Sequence, residues 1–346
     1  MLRRLIGAGA AAFVALGLSL PAEAQQEPEF TFRIHQLLPA QAFIPKDFIL
    51  PWAEKVEQES NGRIKFEHYP SMQLGGTPPS LYDQAREGVV DIIWTVLGYT
   101  PGRFPKSEAF ELPFFVTNAE DTSEAFWEYY EKHLQDEFQD VKVLAVHTHG
   151  PGLIHAKGEG VEELDDMRGL KLRGPTRTVT SLLERLGATA IGMPVPAVPE
   201  SLSKGVIDGA VIPWEVTVPL KVPELVDAHT GFSGGHGLYA ATFIFAMNRS
   251  SYEKLPDNLK KVIDDNSGAV ASAWAGRVMD QGDKIGLEMA QKTDNKIITI
   301  DEAGTERWKE AAQPVVEAWI EEMNAKGFDG EQLVEDARAL IEQNTE

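Results

Sequence analysis

Short apolar runs alternate along this chain with longer stretches of helical period, the order expected where strands feed into helices. Residues 30–35 read as a first strand, and 46–61 carry a helical pattern stopped by Asn61-Gly62. Residues 64–69 alternate at period two before Pro70, 81–88 fit a short helix, and 89–94 form an apolar run suited to a buried strand. The helix expected over 123–138 puts Phe126, Trp127 and Tyr130 on one packed face. Three similar units follow: a strand over 141–146, a strand over 169–173 leading into a helix over 178–186, and a strand over 206–214. The apolar run at 239–247 is of strand length. Such alternation predicts an α/β fold whose mostly parallel sheets are flanked by helices.

The last third changes character. Residues 259–292 hold an almost unbroken helical pattern with Gly268, Gly276, Gly282 and Gly286 but no proline. A helix of that length, about 50 Å at 1.5 Å per residue, exceeds the radius of one domain. It is expected to cross between two domains and to bend at a glycine. Amphipathic helices follow over 306–324 and 330–343. No low-complexity linker separates the halves, so crossing strands rather than a tether are expected to join them.

The N-terminus carries a different signal. Arg3 and Arg4 precede an apolar run over 5–20, which ends in Pro21-Ala22-Glu23-Ala24. This is the order of a secretory signal peptide over residues 1–24, cleaved after Ala24, and it places the protein in the periplasm. The apolar run is shorter than the roughly 20 residues a spanning helix needs.

The 346 residues carry 32 Lys+Arg against 53 Asp+Glu, a formal net charge of −21. A field of that sign repels polyphosphates and anionic membranes, which sets nucleic acid aside as a partner. There are no cysteines, so thiol nucleophiles, thiolate metal sites and disulfides are excluded.

Two places offer chemistry. His147 and His149 share one face of a strand, with His155 further on, and could hold a metal if a third ligand arrived. No HExxH pattern or matching carboxylate follows, and Gly150-Pro151-Gly152 breaks the strand, so no metal or cofactor is expected. Nucleophile elbows, P-loops and dinucleotide fingerprints are missing as well. The second place is basic, running from Met167 to Arg177. Alternation turns Leu170 and Leu172 to one side and Lys171 and Arg173 to the other. An arginine at the carboxyl end of a parallel strand, beside Gly174-Pro175, sits where open α/β sheets bind ligands. Its planar fork suits a carboxylate; a surface ion pair with Asp165 or Asp166 is the alternative.

A series of short blocks extends this reading. Gly62-Arg63-Ile64, Tyr69-Pro70, Gln73-Leu74-Gly75, Gly88-Val89-Val90-Asp91 and Leu112-Pro113-Phe114 come first. Asp166 to Arg173, Leu186-Gly187-Ala188 and Gly205-Val206-Ile207-Asp208-Gly209 follow in order. Together they resemble the DctP-type substrate-binding proteins of tripartite ATP-independent periplasmic (TRAP) transporters, over nearly the whole chain beyond the leader. The resemblance implies a two-domain clamp of the periplasmic-binding-protein type, closing on an organic acid, with a long helix spanning both domains. The implied division is 25–147 plus 236–277 for one domain and 148–235 plus 278–346 for the other. It implies a receptor rather than an enzyme, acting as a monomer and delivering its ligand to a small four-helix subunit and a large permease for ion-gradient-driven uptake. The family's carboxylate-binding arginine falls on Arg173.

Two departures bear on the ligand. Sialic-acid-type members carry a second arginine where this chain has Leu153, and an asparagine where it has Ile212. Both changes replace polar contacts by apolar surface, which suits an apolar or aromatic monocarboxylate better than a sugar acid. Trp94, Tyr99 and Trp214 lie at or just after strand ends, where they either line a cleft or pack in the core. Gln36 and His149 are candidate polar handles. Arg177 is a candidate second cation, which a C4-dicarboxylate receptor would need. The rival from another class is a metal-dependent periplasmic hydrolase or lyase using His147 and His149.

Overall fold

The structure, a computed structural model, describes residues 27–345, so the leader and its cleavage after Ala24 lie outside the described residues. Among those described, no helix is long and apolar enough to cross a membrane.

Among the described residues, eleven strands form two sheets. They are β1 (Phe30–Gln36), β2 (Ile64–Tyr69), β3 (Ile92–Val96), β4 (Val141–Thr148), β5 (Leu153–Ala156), β6 (Lys171–Gly174), β7 (Thr189–Gly192), β8 (Gly209–Ile212), β9 (Ala228–Phe232), β10 (Thr242–Asn248) and β11 (Lys296–Ile300). The first sheet is five-stranded, in the order β2-β1-β3-β10-β4, and the second is six-stranded, in the order β11-β9-β5-β8-β6-β7. All strands but one in each sheet run the same way; β10 and β5 are reversed. Each reversed strand is the one entered directly after the chain crosses from the other sheet: β5 after β4, and β10 after β9. The two crossings run side by side, Gly152 N–H donating to Tyr239 O at 2.9 Å and Leu238 N–H to Gly152 O at 3.0 Å. The expected α/β clamp with crossing strands is therefore the observed architecture.

Several boundaries differ from the sequence pattern for local reasons. The strand expected over 89–94 begins at Ile92, because Gly88 turns at φ 73° and Val89 points outward, 52% exposed. The Asp91 carboxylate secures this turn, accepting from Arg33 N–H at 2.9 Å and from the Ser251 hydroxyl at 2.8 Å. Residues 206–214 contribute a strand only over Gly209–Ile212 and then turn at Pro213 into the short helix Trp214–Thr217. Strands β5, β7, β9 and β11 leave no comparable apolar run in the sequence.

The expected continuous helix over 259–292 is two helices, Asp257–Asp265 and Ala269–Ala290. The break falls at Gly268, whose φ of 80° and ψ of −145° suit glycine alone. It is held from both sides: Trp52 Nε1–H donates to Asn266 O at 2.7 Å, and Gly268 N–H to Leu144 O at 2.7 Å. The longer helix, 22 residues and about 33 Å, still touches both halves. It packs on the helix Ala119–Tyr129 beside the first sheet and on Trp214–Thr217 beside the second. Its remaining glycines allow close approach. A Cβ at Gly276 would lie 2.4 Å from Ala119 O, and one at Gly286 would lie 2.2 Å from Trp214 O. Between them, Asp280 accepts from Ala119 and Glu120 N–H at 2.7 and 2.9 Å, and Asp283 from Glu215 N–H at 2.7 Å. One helix face thus grips a helix start in each half.

Gly276→Ala and Gly286→Ala are each expected to lower the melting temperature. The overpacking cost of about 1–3 kcal/mol outweighs the ~1 kcal/mol by which alanine exceeds glycine in a helix. Calorimetry of the two variants checks this, and an unchanged or raised melting temperature would mean that the contacts are looser than described.

Candidate functional site

The carboxyl ends of β1, β3, β4, β6 and β8 converge on a crease between the sheets, the position where open α/β folds bind ligands. Leu37 and Leu38 follow β1, Trp94 and Val96 lie on β3, and Tyr99 follows it. His149 follows β4, Arg173 and Pro175 end β6, and Ile212 and Pro213 end β8; Glu215, Tyr239 and Phe243 complete the wall. They enclose a narrow space of about 30 Å³. A larger groove of about 810 Å³ lies elsewhere, between Phe114, Lys309 and Ile341. Size alone therefore does not mark the site.

Arg173 reaches the cavity because β6 alternates: Leu172 is buried in the core and Arg173 faces the other way, only 2% exposed. Its Nε–H donates to Met193 O at 2.9 Å and its Nη1 to Val211 O at 3.1 Å. Both partners are neutral carbonyls, and among the described residues no carboxylate pairs with this guanidinium. Burying an ion without its counter-charge costs several kcal/mol, so the site is set up to receive an anion. Tyr99 stands beside it: its hydroxyl accepts from Val195 N–H at 2.9 Å, which leaves the hydroxyl proton free for an incoming oxygen. Burial pushes the Tyr99 hydroxyl up and the Arg173 charge opposes this, so the phenol stays protonated.

Apart from Glu215, the remaining walls are mostly apolar or already bonded. The Trp94 ring stacks on Phe243 at 5.0 Å and 12°, while its Nε1–H donates to His147 Nε2 at 2.8 Å. Trp94 therefore offers the cavity a ring face and no hydrogen bond. His149 lines the cavity but is not a free handle. Its Nδ1 bonds Gly150 O at 2.6 Å and its Nε2 accepts from Ala241 N–H at 3.0 Å, which assigns the tautomer and uses both nitrogens. Burial lowers His147 to about 4 and His149 to about 3, so both rings are neutral. With His147 Nδ1 on Thr148 O at 3.1 Å, neither histidine keeps a lone pair for a metal, contrary to the hydrolase reading. The Tyr239 hydroxyl donates to Val211 O at 2.8 Å.

Three sequence candidates lie outside the cavity. Gln36 turns back on its own chain, its Nε2 donating to Leu38 O at 2.8 Å and its Oε1 accepting from Leu38 N–H; it shapes the Leu37-Leu38 wall without lining it. Trp214 packs over the buried pair His155 and His229, with centroids 5.1 and 4.9 Å away, because Pro213 turns the chain before it. Arg177 is fully engaged. It makes four hydrogen bonds, at 2.6 and 2.5 Å to Glu108 and at 3.1 and 2.8 Å to Glu322. Lys171 lies at the opposite end of β6, near Asp208 and Gly205. The expected basic cluster is therefore Arg173 alone. Sequence reasoning missed Tyr239, Phe243 and Glu215; Glu215 had a faint signal as a lone acid directly after a buried strand.

Comparison with known proteins agrees with this geometry. The family model for the DctP, bacterial extracellular solute-binding protein, family 7, matches residues 36–322. The chain belongs to this family. A relative named as the outer membrane transporter protein TsaT of Comamonas testosteroni is 26% identical over 333 residues, covering 95% of this chain and 97% of its own. A TRAP solute-binding protein of Rhodoferax ferrireducens, solved with copurified benzoate, is 51% identical with a TM-score of 0.89, covering 91% of this chain and 98% of that one. A marine metagenome TRAP solute-binding protein specific for aromatic acids, solved with 3-hydroxybenzoate, is 47% identical with a TM-score of 0.91, covering 92% and 100%.

The carboxyls around the crease titrate in a definite direction. Burial raises Glu111 to about 7 and Asp283 to about 8. Both keep protons in the folded chain where the unfolded chain has lost them, so their stabilisation is complete below about pH 4 and is lost as pH rises through 7 and 8. His147 and His149 act in the opposite sense, their stabilisation being present above about 6.5 and lost as pH falls toward 4 and 3. Between pH 6.5 and 8.5 only the carboxyls of this set titrate. Melting temperature is therefore expected to fall by several degrees over that interval, and the pair Glu111→Gln with Asp283→Asn to flatten the slope. A thermal melt series in which stability rises from pH 6.5 to 8.5 is the contrary result.

Proposed function

We propose that this chain is a periplasmic receptor for an aromatic or otherwise apolar monocarboxylate, which it delivers to TRAP membrane subunits for ion-gradient-driven uptake. The observation that carries the reading is Arg173, a buried guanidinium without a counter-ion in a cavity otherwise walled by Trp94, Phe243, Leu37, Leu38 and Ile212. Such a site pairs one carboxylate bidentately and covers the rest of the ligand with apolar surface. The ligands of the two solved relatives, benzoate and 3-hydroxybenzoate, fit that description. A C4-dicarboxylate is disfavoured because Arg177, the candidate second cation, is held by Glu108 and Glu322. Enzymatic turnover is disfavoured because the two histidines it would use are neutral and already bonded.

In this reading the two sheets are the cores of two lobes, divided at 147/148 and 235/236, with the helix Ala269–Ala290 as the shared spine. The spine's bending opens and closes the crease, and closure removes water and strengthens the ion pair. Export by the 1–24 leader places the receptor where the membrane subunits can take its cargo.

Arg173→Ala is expected to weaken benzoate binding about thirty-fold or more in calorimetric titration while leaving the circular dichroism spectrum unchanged, since truncating one partner of a buried charge pair costs about 2–5 kcal/mol. Binding as tight as that of the native chain would remove Arg173 as the anchor. In a thermal-shift screen, an aromatic acid at a hundred times its dissociation constant is expected to stabilise the protein by about 2.7 kcal/mol, with succinate, malate and fumarate doing little. The reverse ranking would favour the dicarboxylate reading.

A further inference from the structure

Besides Arg173, which lacks a counter-ion, the cavity wall holds a buried carboxyl with an oxygen that has no protein partner. Glu215 follows Pro213 at the start of the helix Trp214–Thr217, its side chain lining the cavity, and the residue is 3% exposed. Its Oε2 is buried and accepts no hydrogen bond. No cation pairs with it among the described residues. Its backbone N–H is fixed by Asp283 Oδ1 at 2.7 Å, and its Cβ lies against Gly282 of the spine, so the side chain is tied to the cavity floor. Among the neighbouring polar groups, His149, Trp94 and Tyr239 already spend their donors on protein atoms, and the free Tyr99 hydroxyl proton stands beside Arg173, where the carboxylate is held. Buried polar atoms without partners are rare, and each calls for a reason.

Burial holds this carboxyl well above the usual range, and the nearby Asp283 pushes in the same direction. A neutral carboxyl carries one O–H donor and one carbonyl acceptor. That pair complements a hydroxyl group, which also donates once and accepts. We propose that Glu215 is the specificity-determining residue of the cavity, receiving a ring hydroxyl of the bound acid while Arg173 holds its carboxylate. The preferred ligand class narrows to hydroxylated aromatic monocarboxylates. This deepens the receptor reading above and rests on it.

The design has a cost that the same substitution exposes. Leaving a buried carboxyl unbonded destabilises the empty protein. Glu215→Met, of similar length and without donor or acceptor, is therefore expected to melt at or above the native temperature when no ligand is present. Glu215→Gln keeps one donor and one acceptor.

The test is calorimetric titration of the native chain, Glu215→Met and Glu215→Gln with benzoate and with 2-, 3- and 4-hydroxybenzoate. The native chain is expected to bind at least one hydroxybenzoate about ten-fold or more tightly than benzoate. Glu215→Met should bring that ratio close to one, and Glu215→Gln should retain part of it. A native chain without hydroxyl preference, or a preference undiminished in Glu215→Met, overturns the assignment while the receptor reading stands. If the native chain binds none of the four acids, the receptor reading falls and the assignment with it. Should Glu215→Met fail to fold, a ratio in Glu215→Gln that equals or exceeds the native one supports the assignment only if Glu215→Ala loses it, and a ratio kept in Glu215→Ala overturns it.

Discussion

The structure depends on keeping one guanidinium charged inside a protein without giving it a counter-ion. Arginine is suited to this because it stays protonated at any relevant pH, whereas a buried lysine or histidine would shed its charge. The carbonyls of Met193 and Val211 supply partial compensation and fix the fork, leaving the remaining donors for a ligand. Nearby acids respond oppositely to burial. Burial pushes Glu111, Asp283 and Glu215 toward their neutral forms, so these carboxyls oppose the Arg173 charge less than ionised ones would. A surface with a formal charge of −21 can therefore enclose an anion site. Surface charges are screened over about 8–10 Å in physiological salt, while the Arg173 field acts in a low-dielectric space where it is far stronger.

Holding that charge in place requires two sheets to meet at a fixed distance, and the spine helix sets it. Gly276 and Gly286 let its backbone approach each half closely, and Asp280 and Asp283, less than a turn apart, each bind the exposed N–H groups at the start of a helix, one per half. Arg177 adds a second tie, joining Glu108 on the first sheet's side to the helix Arg177–Arg185 and to Glu322. The C-terminal helix Gly330–Thr345 returns to the helix Ala119–Tyr129, so the halves are linked by more than the crossing strands.

How far the site could be read from the sequence follows from what each residue does. Arg173 was legible because alternation along its strand separates it from Leu172, it ends the strand beside Gly174-Pro175, and the family resemblance falls on it, although a surface ion pair would have left the same pattern. Trp94 and Tyr99 were legible as strand-end aromatics, although their hydrogen bonds were not. Arg177 was misplaced because helix direction after Thr176, not spacing, decides where it points, and its partners Glu108 and Glu322 are distant in sequence. Of the other candidates only His149 lines the cavity; Gln36 and His149 spend their polar atoms on nearby backbone and Trp214 packs on His155 and His229, which only three-dimensional packing reveals. Among the strands, β7 and β11 escaped because edge strands of mixed polarity leave no apolar run, and β5 and β9 because four or five residues are too few to show a period.

Selectivity in such a site comes as much from what the walls refuse as from what Arg173 accepts. Leu37, Leu38, Val96, Ile212, Val216 and Phe243 can offer nothing to a hydroxyl. A sugar acid brought into this cavity would bury several hydroxyls without partners, at about 1–3 kcal/mol each. That sum exceeds what one carboxylate–guanidinium pair returns, so an arginine in these walls discriminates against sugar acids. Ile212, which lines the cavity, is therefore an energetic barrier to hydrophilic acids as well as an attraction for apolar ones, whereas Leu153 lies outside the lining; a second charge on the ligand would meet the same barrier in stronger form.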